Sequence, residues 1–182
     1  MSLINPFKVT IDSDISLKEE LNSITDIIVD ELVMKQPELV TGVQEGRKSK
    51  ALLEAEIRTI VAEKKLSVGD FKAFEKSVFD KLFGYDILEP YLEDPDVSDI
   101  LINSKDMVSI KKFGEKLRVP VSFGTEENLL KFCYKVAAMC GGKLDEANNA
   151  EAVLTDRKRN LRIVISLKPV NVTSPSICIR KP

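Results

Sequence analysis

The sequence predicts an α+β fold: a helical bundle over residues 1–83, followed over residues 84–182 by an antiparallel sheet with helices. Two observations predict it. Up to Leu82 the apolar residues recur at steps of three and four, and from Gly84 short β-rich runs separated by turn residues replace that period. A chain of 182 residues, 43% hydrophobic and 31% charged, has the composition of a globular protein and is long enough to build a core without disulfide or metal staples.

Ser16-Leu17-Lys18-Glu19 has the form of a capping box, and Leu17, Leu21, Ile24, Ile28 and Leu32 continue one helical stripe until Pro37 forbids it. After the polar stretch Gly42–Lys50, a second helix is carried by Leu53, Ile57, Ile60 and Val61. Ser67 is placed to cap a third, with Val68, Phe71, Phe74, Val78 and Leu82 on one stripe and Gly84 at a left-handed C-terminal position. A short helix is expected around Pro90. Strands are expected at Val97–Ile102, Met107–Lys112 and Lys116–Phe123, the last two joined by the Phe113-Gly114-Glu115 turn. Thr125 caps a helix built on Leu129, Leu130, Cys133, Val136 and Ala137 that stops at Gly141-Gly142. Three strands follow, at Ala152–Thr155, Leu161–Leu167 and Ser176–Arg180, the first two joined by the basic turn Asp156–Asn160.

The side chains then restrict the chemistry. With no His, imidazole nucleophile activation, imidazole metal ligation and neutral-pH switching are excluded. Three Cys without a C-x-x-C spacing read as small buried apolar residues of a reducing compartment. Gly141-Gly142-Lys143-Leu144 lacks the spacing and hydroxyl of a P-loop and reads as a helix end. Glu89, Glu93, Asp94, Asp96 and Asp99 cluster in sequence, but Asp94-Pro95-Asp96 is turn chemistry and Asp99 lies in a strand pattern, so turn and capping roles are expected and no metal site. Charge is uneven: residues 151–182 carry 7 basic and 2 acidic side chains. Within that segment Arg162 and Arg180 sit in or at the end of β-rich runs, where an arginine either meets a carboxylate or aims its planar fork at phosphate oxygens.

From Gly84 to Asn103 the sequence GYDILEPYLEDPDVSDILIN resembles the G-x-G-P-L-E-P-L-L-x-D-P-x-V-T-D-I-x-V-N segment of bacterial type II/type IV secretion ATPases. Val108–Gly114 is similar to their V-y-v-e-r-x-G hairpin. Leu161-Arg162 with Lys168-Pro169, and Ser176–Lys181, are similar to their S-R-V-N-A-V-I-P-P and l-t-I-R-K strands. With the helical preamble, the resemblance is to the CpaF-like branch that powers Tad/Flp pilus assembly, and it covers residues 50–182. It implies a PAS-like unit after the bundle, a RecA-like ATPase domain after residue 182, and a homo-hexamer. It also implies ATP with Mg²⁺ as cofactors of the whole protein, inner-membrane platform proteins as partners, and a cytoplasmic location, peripheral to the membrane. Arg162 and Arg180 match the arginines that reach nucleotide phosphates in that family, and Arg159 and Lys181 are second-rank candidates.

The departures from the family pattern matter too. Val153 and Arg157 stand where the family's D-A-R-L-P-D-G has Arg and Gly, Lys168 replaces a proline, and Pro182 stands where Phe is common. No Walker motif is present in the sequence, so no catalytic residue is expected and the 182 residues alone should not hydrolyse ATP. Met1-Ser2-Leu3 has the look of a vector-derived leader, which would make the chain part of a longer one. The rival expectation is a stand-alone α+β interaction module whose basic edge docks an acidic protein. Nucleic acid is not expected, because Arg157–Arg162 has no interleaved aromatic for base stacking.

Overall fold

The computed structural model describes residues 6–182, with side chains from Glu20 onward. These residues divide into two compact units, one ending at Asp86 and the other spanning Ile87–Pro182.

Among its described residues the first unit holds four helices: α1 (Pro6–Lys35), α2 (Pro37–Gln44), α3 (Lys50–Glu63) and α4 (Phe71–Phe83). Its core is Ile28 and Leu32 of α1, Leu39 of α2, Leu53, Ile57 and Ile60 of α3, and Phe74 and Val78 of α4. Apart from Leu39, these residues lie on the stripes the sequence period predicts. One polar bond crosses this core, where Thr25 Oγ1 lies 3.1 Å from Ser77 Oγ and also donates to the Leu21 carbonyl at 2.8 Å.

Several local expectations need correction. Ser16 lies inside α1 instead of capping it, and its side chain, with those of Leu17–Glu19, lies outside the described residues; so does the Met1-Ser2-Leu3 leader. Pro37 ends α1 but also opens α2, since a proline at the first helical position loses no intrahelical bond. Asp70, not Ser67, caps α4, its Oδ1 accepting from the Lys72 and Ala73 amides, both at 3.1 Å. Gly84 is extended, with φ −113°, and not left-handed.

The second unit begins with a 3-10 turn (Asp86–Leu88, overlapping the boundary) and α5 (Glu89–Glu93). Its strands are β1 (Val97–Ser104), β2 (Met107–Lys112), β3 (Glu115–Arg118), β4 (Glu151–Asp156), β5 (Leu161–Ser166) and β6 (Ser176–Arg180), with α6 (Glu126–Met139) between β3 and β4. They form one antiparallel sheet in the order β3-β2-β1-β6-β5-β4. The chain's last strand therefore lies at the centre, paired with β1.

Phe113 and Gly114, with φ of 53° and 84°, make the two-residue turn between β2 and β3, the left-handed pair that matches strand twist. β3 is shorter than expected because Pro120 has no N–H to offer a ladder. Val119 and Phe123 are nevertheless buried, and their amides donate to Val108 and Lys105 carbonyls at 3.0 and 2.8 Å.

Side chains alternate across the sheet. One face is the core: Ile100 and Ile102 (β1), Val108 and Ile110 (β2), Ile163 and Ile165 (β5), Ile177 and Ile179 (β6), all buried. α6, capped by Thr125 Oγ1 accepting from the Asn128 amide at 3.1 Å, buries Leu129, Phe132, Cys133, Val136 and Ala137. Just past its end, a Cβ on Gly142 would stand 2.4 Å from Leu154 Cδ2, so any larger residue there would require the Leu154 side chain to shift. Among the described residues no helix is long and apolar enough to cross a membrane.

Candidate functional site

The face opposite the core carries the arginines. Strand register sets one row across all six strands: Lys116 (β3), Lys111 (β2), Asp99 (β1), Arg180 (β6), Arg162 (β5) and Thr155 (β4). Adjacent members are one strand spacing apart, about 4.8 Å. A second row on the same face is apolar at its β1, β6, β5 and β4 positions: Leu101, Cys178, Val164 and Val153. Val153 is 78% exposed.

Arg162 and Arg180 are thus cross-strand neighbours. Two like charges directly opposite destabilise a sheet unless something offsets them. Asp99 does so from the next strand: Arg180 Nε donates to its Oδ1 at 2.8 Å, and Ser98 Oγ donates to its Oδ2 at 2.8 Å. Partial burial pushes the Asp99 carboxyl up, but the Arg180 and Ser98 hydrogen bonds and the neighbouring Arg180 and Lys111 charges outweigh it and hold the group below its ordinary value. Asp99 lies in a strand, as its sequence pattern predicts, and is an ion-pair partner, while the Arg180 side chain stays 67% exposed. Arg162 has no hydrogen-bond or ion-pair partner among the described residues.

The other two candidates lie apart from this row. Arg159, in the β4–β5 turn, donates from Nη1 to Glu89 Oε2 at 2.7 Å, and Glu89 is buried. Lys181, past the end of β6, donates from Nζ to the Asp94 carbonyl, while Lys112 Nζ lies 2.8 Å from Asp94 Oδ2. The structure thus brings Arg162 and Arg180 together, and engages Arg159 and Lys181 in bonds within the unit. Glu89, for which a turn or capping role is expected, and Asp99, expected in a strand, are arginine partners. Their roles depend on contacts 70 and 81 residues away, for which a single sequence carries no local signal.

Chemically this surface can bind an anion, and its cysteine is not activated as a nucleophile. Cys178, beside Arg180 on the same face, has its thiol pushed up by burial and then by the Asp99 charge, which disfavours a thiolate. Cys178 and Cys140 are also only half-buried, and Cys133 alone of the three free cysteines meets the expectation of full burial. Two guanidinium forks side by side, one free and one held by its Nε edge, suit an anion with several oxygens.

No family model and no curated protein matches the sequence. Among solved structures the chain is similar to the VirB11 ATPase from the Brucella suis type IV secretion system, crystallised in complex with sulphate. The two share 21% identity with a TM-score of 0.46, over 52% of this chain and 29% of that one, so the match spans less than a third of the VirB11 chain.

Proposed function

We propose that this chain is the N-terminal domain of a CpaF-like secretion or pilus-assembly ATPase, in which Arg162 and Arg180 meet the phosphates of a nucleotide held by a RecA-like domain following residue 182. The observation that carries the reading is the unpartnered Arg162 directly opposite an Arg180 whose side chain is largely exposed. The long Gly84–Asn103 motif supports it independently. In this reading the subunits form a hexamer, the ring docks on inner-membrane platform proteins, and hydrolysis drives pilus assembly or secretion.

The residues of the row fit the phosphate end of ATP. Among the described residues no group of three acidic, histidine or cysteine side chains is gathered for a metal ion, so no step is assigned to Mg²⁺ on this chain. The test is Arg162→Ala in the protein that includes its native downstream reading frame. A charge-assisted contact of this kind is worth about tenfold in nucleotide affinity. Unchanged affinity and turnover would refute the phosphate role.

One observation favours a second reading, an interaction module with a basic docking edge: Val153 and Val164 lie exposed beside the basic row. That reading predicts an acidic protein partner whose binding weakens with salt, and no response to nucleotide.

A further inference from the structure

The Asp99 carboxylate is an unexpected neighbour for an anion site. It brings negative charge into the middle of a basic row, where Coulomb repulsion alone would weaken anion binding. Its geometry explains its presence. Both oxygens are committed, Oδ2 to Ser98 Oγ and Oδ1 to Arg180 Nε. Its side chain is 10% exposed while that of Arg180 is 67% exposed, so the bond anchors one edge of the guanidinium at the sheet and leaves the other edge to solvent. An arginine held by Nε loses most of its rotamer freedom before a ligand arrives, which lowers the entropy lost on binding. Arg162, one strand further on, has no such anchor.

We infer that Asp99 is a positioning residue, holding the Arg180 fork beside Arg162 so that the two guanidinium groups take a phosphate chain together. This rests on the phosphate-binding reading above. It assigns to Asp99 a role that neither its place in a strand pattern nor its charge suggests.

The test uses the 182-residue chain with inorganic triphosphate as the probe, titrated calorimetrically at low salt, for the unsubstituted protein, Arg162→Ala, Arg180→Lys, Asp99→Asn and the Asp99→Asn/Arg180→Lys pair. Positioning predicts that Asp99→Asn weakens binding by about tenfold even though it removes a negative charge, the loss typical of a charged hydrogen-bond partner. Arg180→Lys, which keeps the charge but has no Nε edge, should weaken it similarly. The pair should be no worse than either single change, since both remove one interaction. In ¹⁵N spectra of the unsubstituted chain the Arg180 Nε–H should exchange slowly with water, and Asp99→Asn should abolish that protection.

Neutral or tighter binding by Asp99→Asn, with Arg162→Ala still weakening it, overturns the positioning role and leaves the phosphate reading intact. Absence of triphosphate binding by the unsubstituted chain overturns the inference, and Arg162→Ala in the protein with its downstream reading frame then decides the phosphate reading; binding that is indifferent to Arg162→Ala and Arg180→Lys overturns both. Should Asp99→Asn lose the dispersed amide spectrum of the folded chain, Arg180→Lys and the Nε–H exchange of the unsubstituted protein decide. An unprotected Arg180 Nε–H there overturns the inference.

Discussion

Glu89 is 2% exposed and accepts from Arg159 Nη1, whose own side chain is 42% exposed. Removing the arginine would take a charged partner from a carboxylate in a site from which water is largely excluded, which costs more than the loss of an exposed ion pair. Arg159→Ala should therefore destabilise the protein by about 1–2 kcal/mol, discounted for the arginine's exposure. Its neighbour Arg157→Ala, on the exposed side of the same turn, should change stability by less than about 0.5 kcal/mol. Urea unfolding of the two variants makes the comparison, and equal effects would deny the buried pair its role. The Cys133 thiol supplies a second residue-scale test: burial pushes it up to about 12, so it is almost wholly protonated at neutral pH. Alkylation by iodoacetamide should spare Cys133 in the native protein and reach it only after unfolding, as mass spectrometry of tryptic peptides would report.

At the scale of elements, caps separate local reading from tertiary outcome. Ser67 and Asp70 both have N-cap chemistry, but Asp70 accepts two amide hydrogens of α4. Asp70→Ala should cost about 1 kcal/mol and Ser67→Ala close to nothing in thermal or urea unfolding. The reverse order would mean that α4 begins earlier.

Much of the fold was legible at this level. The stripe Leu53, Ile57 and Ile60, the Thr125 cap, the Gly141 stop and every strand have strong local signals, because one period and one punctuating residue decide each. α2 was missed since Pro37 is a stop for the preceding helix and a start for the next, and eight residues give the period little room to show. The candidate site was half legible. Arg162 and Arg180 stand out as arginines in apolar strands, but that they face each other requires β6 to lie between β1 and β5, a topology fixed by long-range pairing. The same pairing conceals Asp99, Lys111 and Lys116 as members of one row.

For the molecule as a whole, charge is organised by pairing as much as by number. The Lys112 hydrogen bond and then the Asp96 amide hold the Asp94 carboxyl low, Lys105 and Ser122 do so for Asp106, and Asn148 and the Ala147 amide do so for Asp145. Carboxylates depressed on folding add stability that is fully present above the unfolded value of about 3.9 and is lost as pH falls through the lower folded values. The melting temperature should therefore change little from these groups between about pH 7 and 5 and fall modestly below about pH 4, since all three pairs are solvent-screened. A scan that rises on acidification through that window would contradict the assignment.

The larger claim concerns the sheet face opposite the core, where register places two arginines side by side. The measurement that tests it most directly is a titration of the ¹⁵N-labelled chain with ATP, following the arginine Nε–H signals. The Arg162 and Arg180 signals should shift together and saturate along one curve, while that of Arg159, tied to Glu89, stays in place. If Arg162 and Arg180 remain unmoved at saturating nucleotide, or if all arginines drift in parallel as weak nonspecific binding would make them, the anion-site account is wrong.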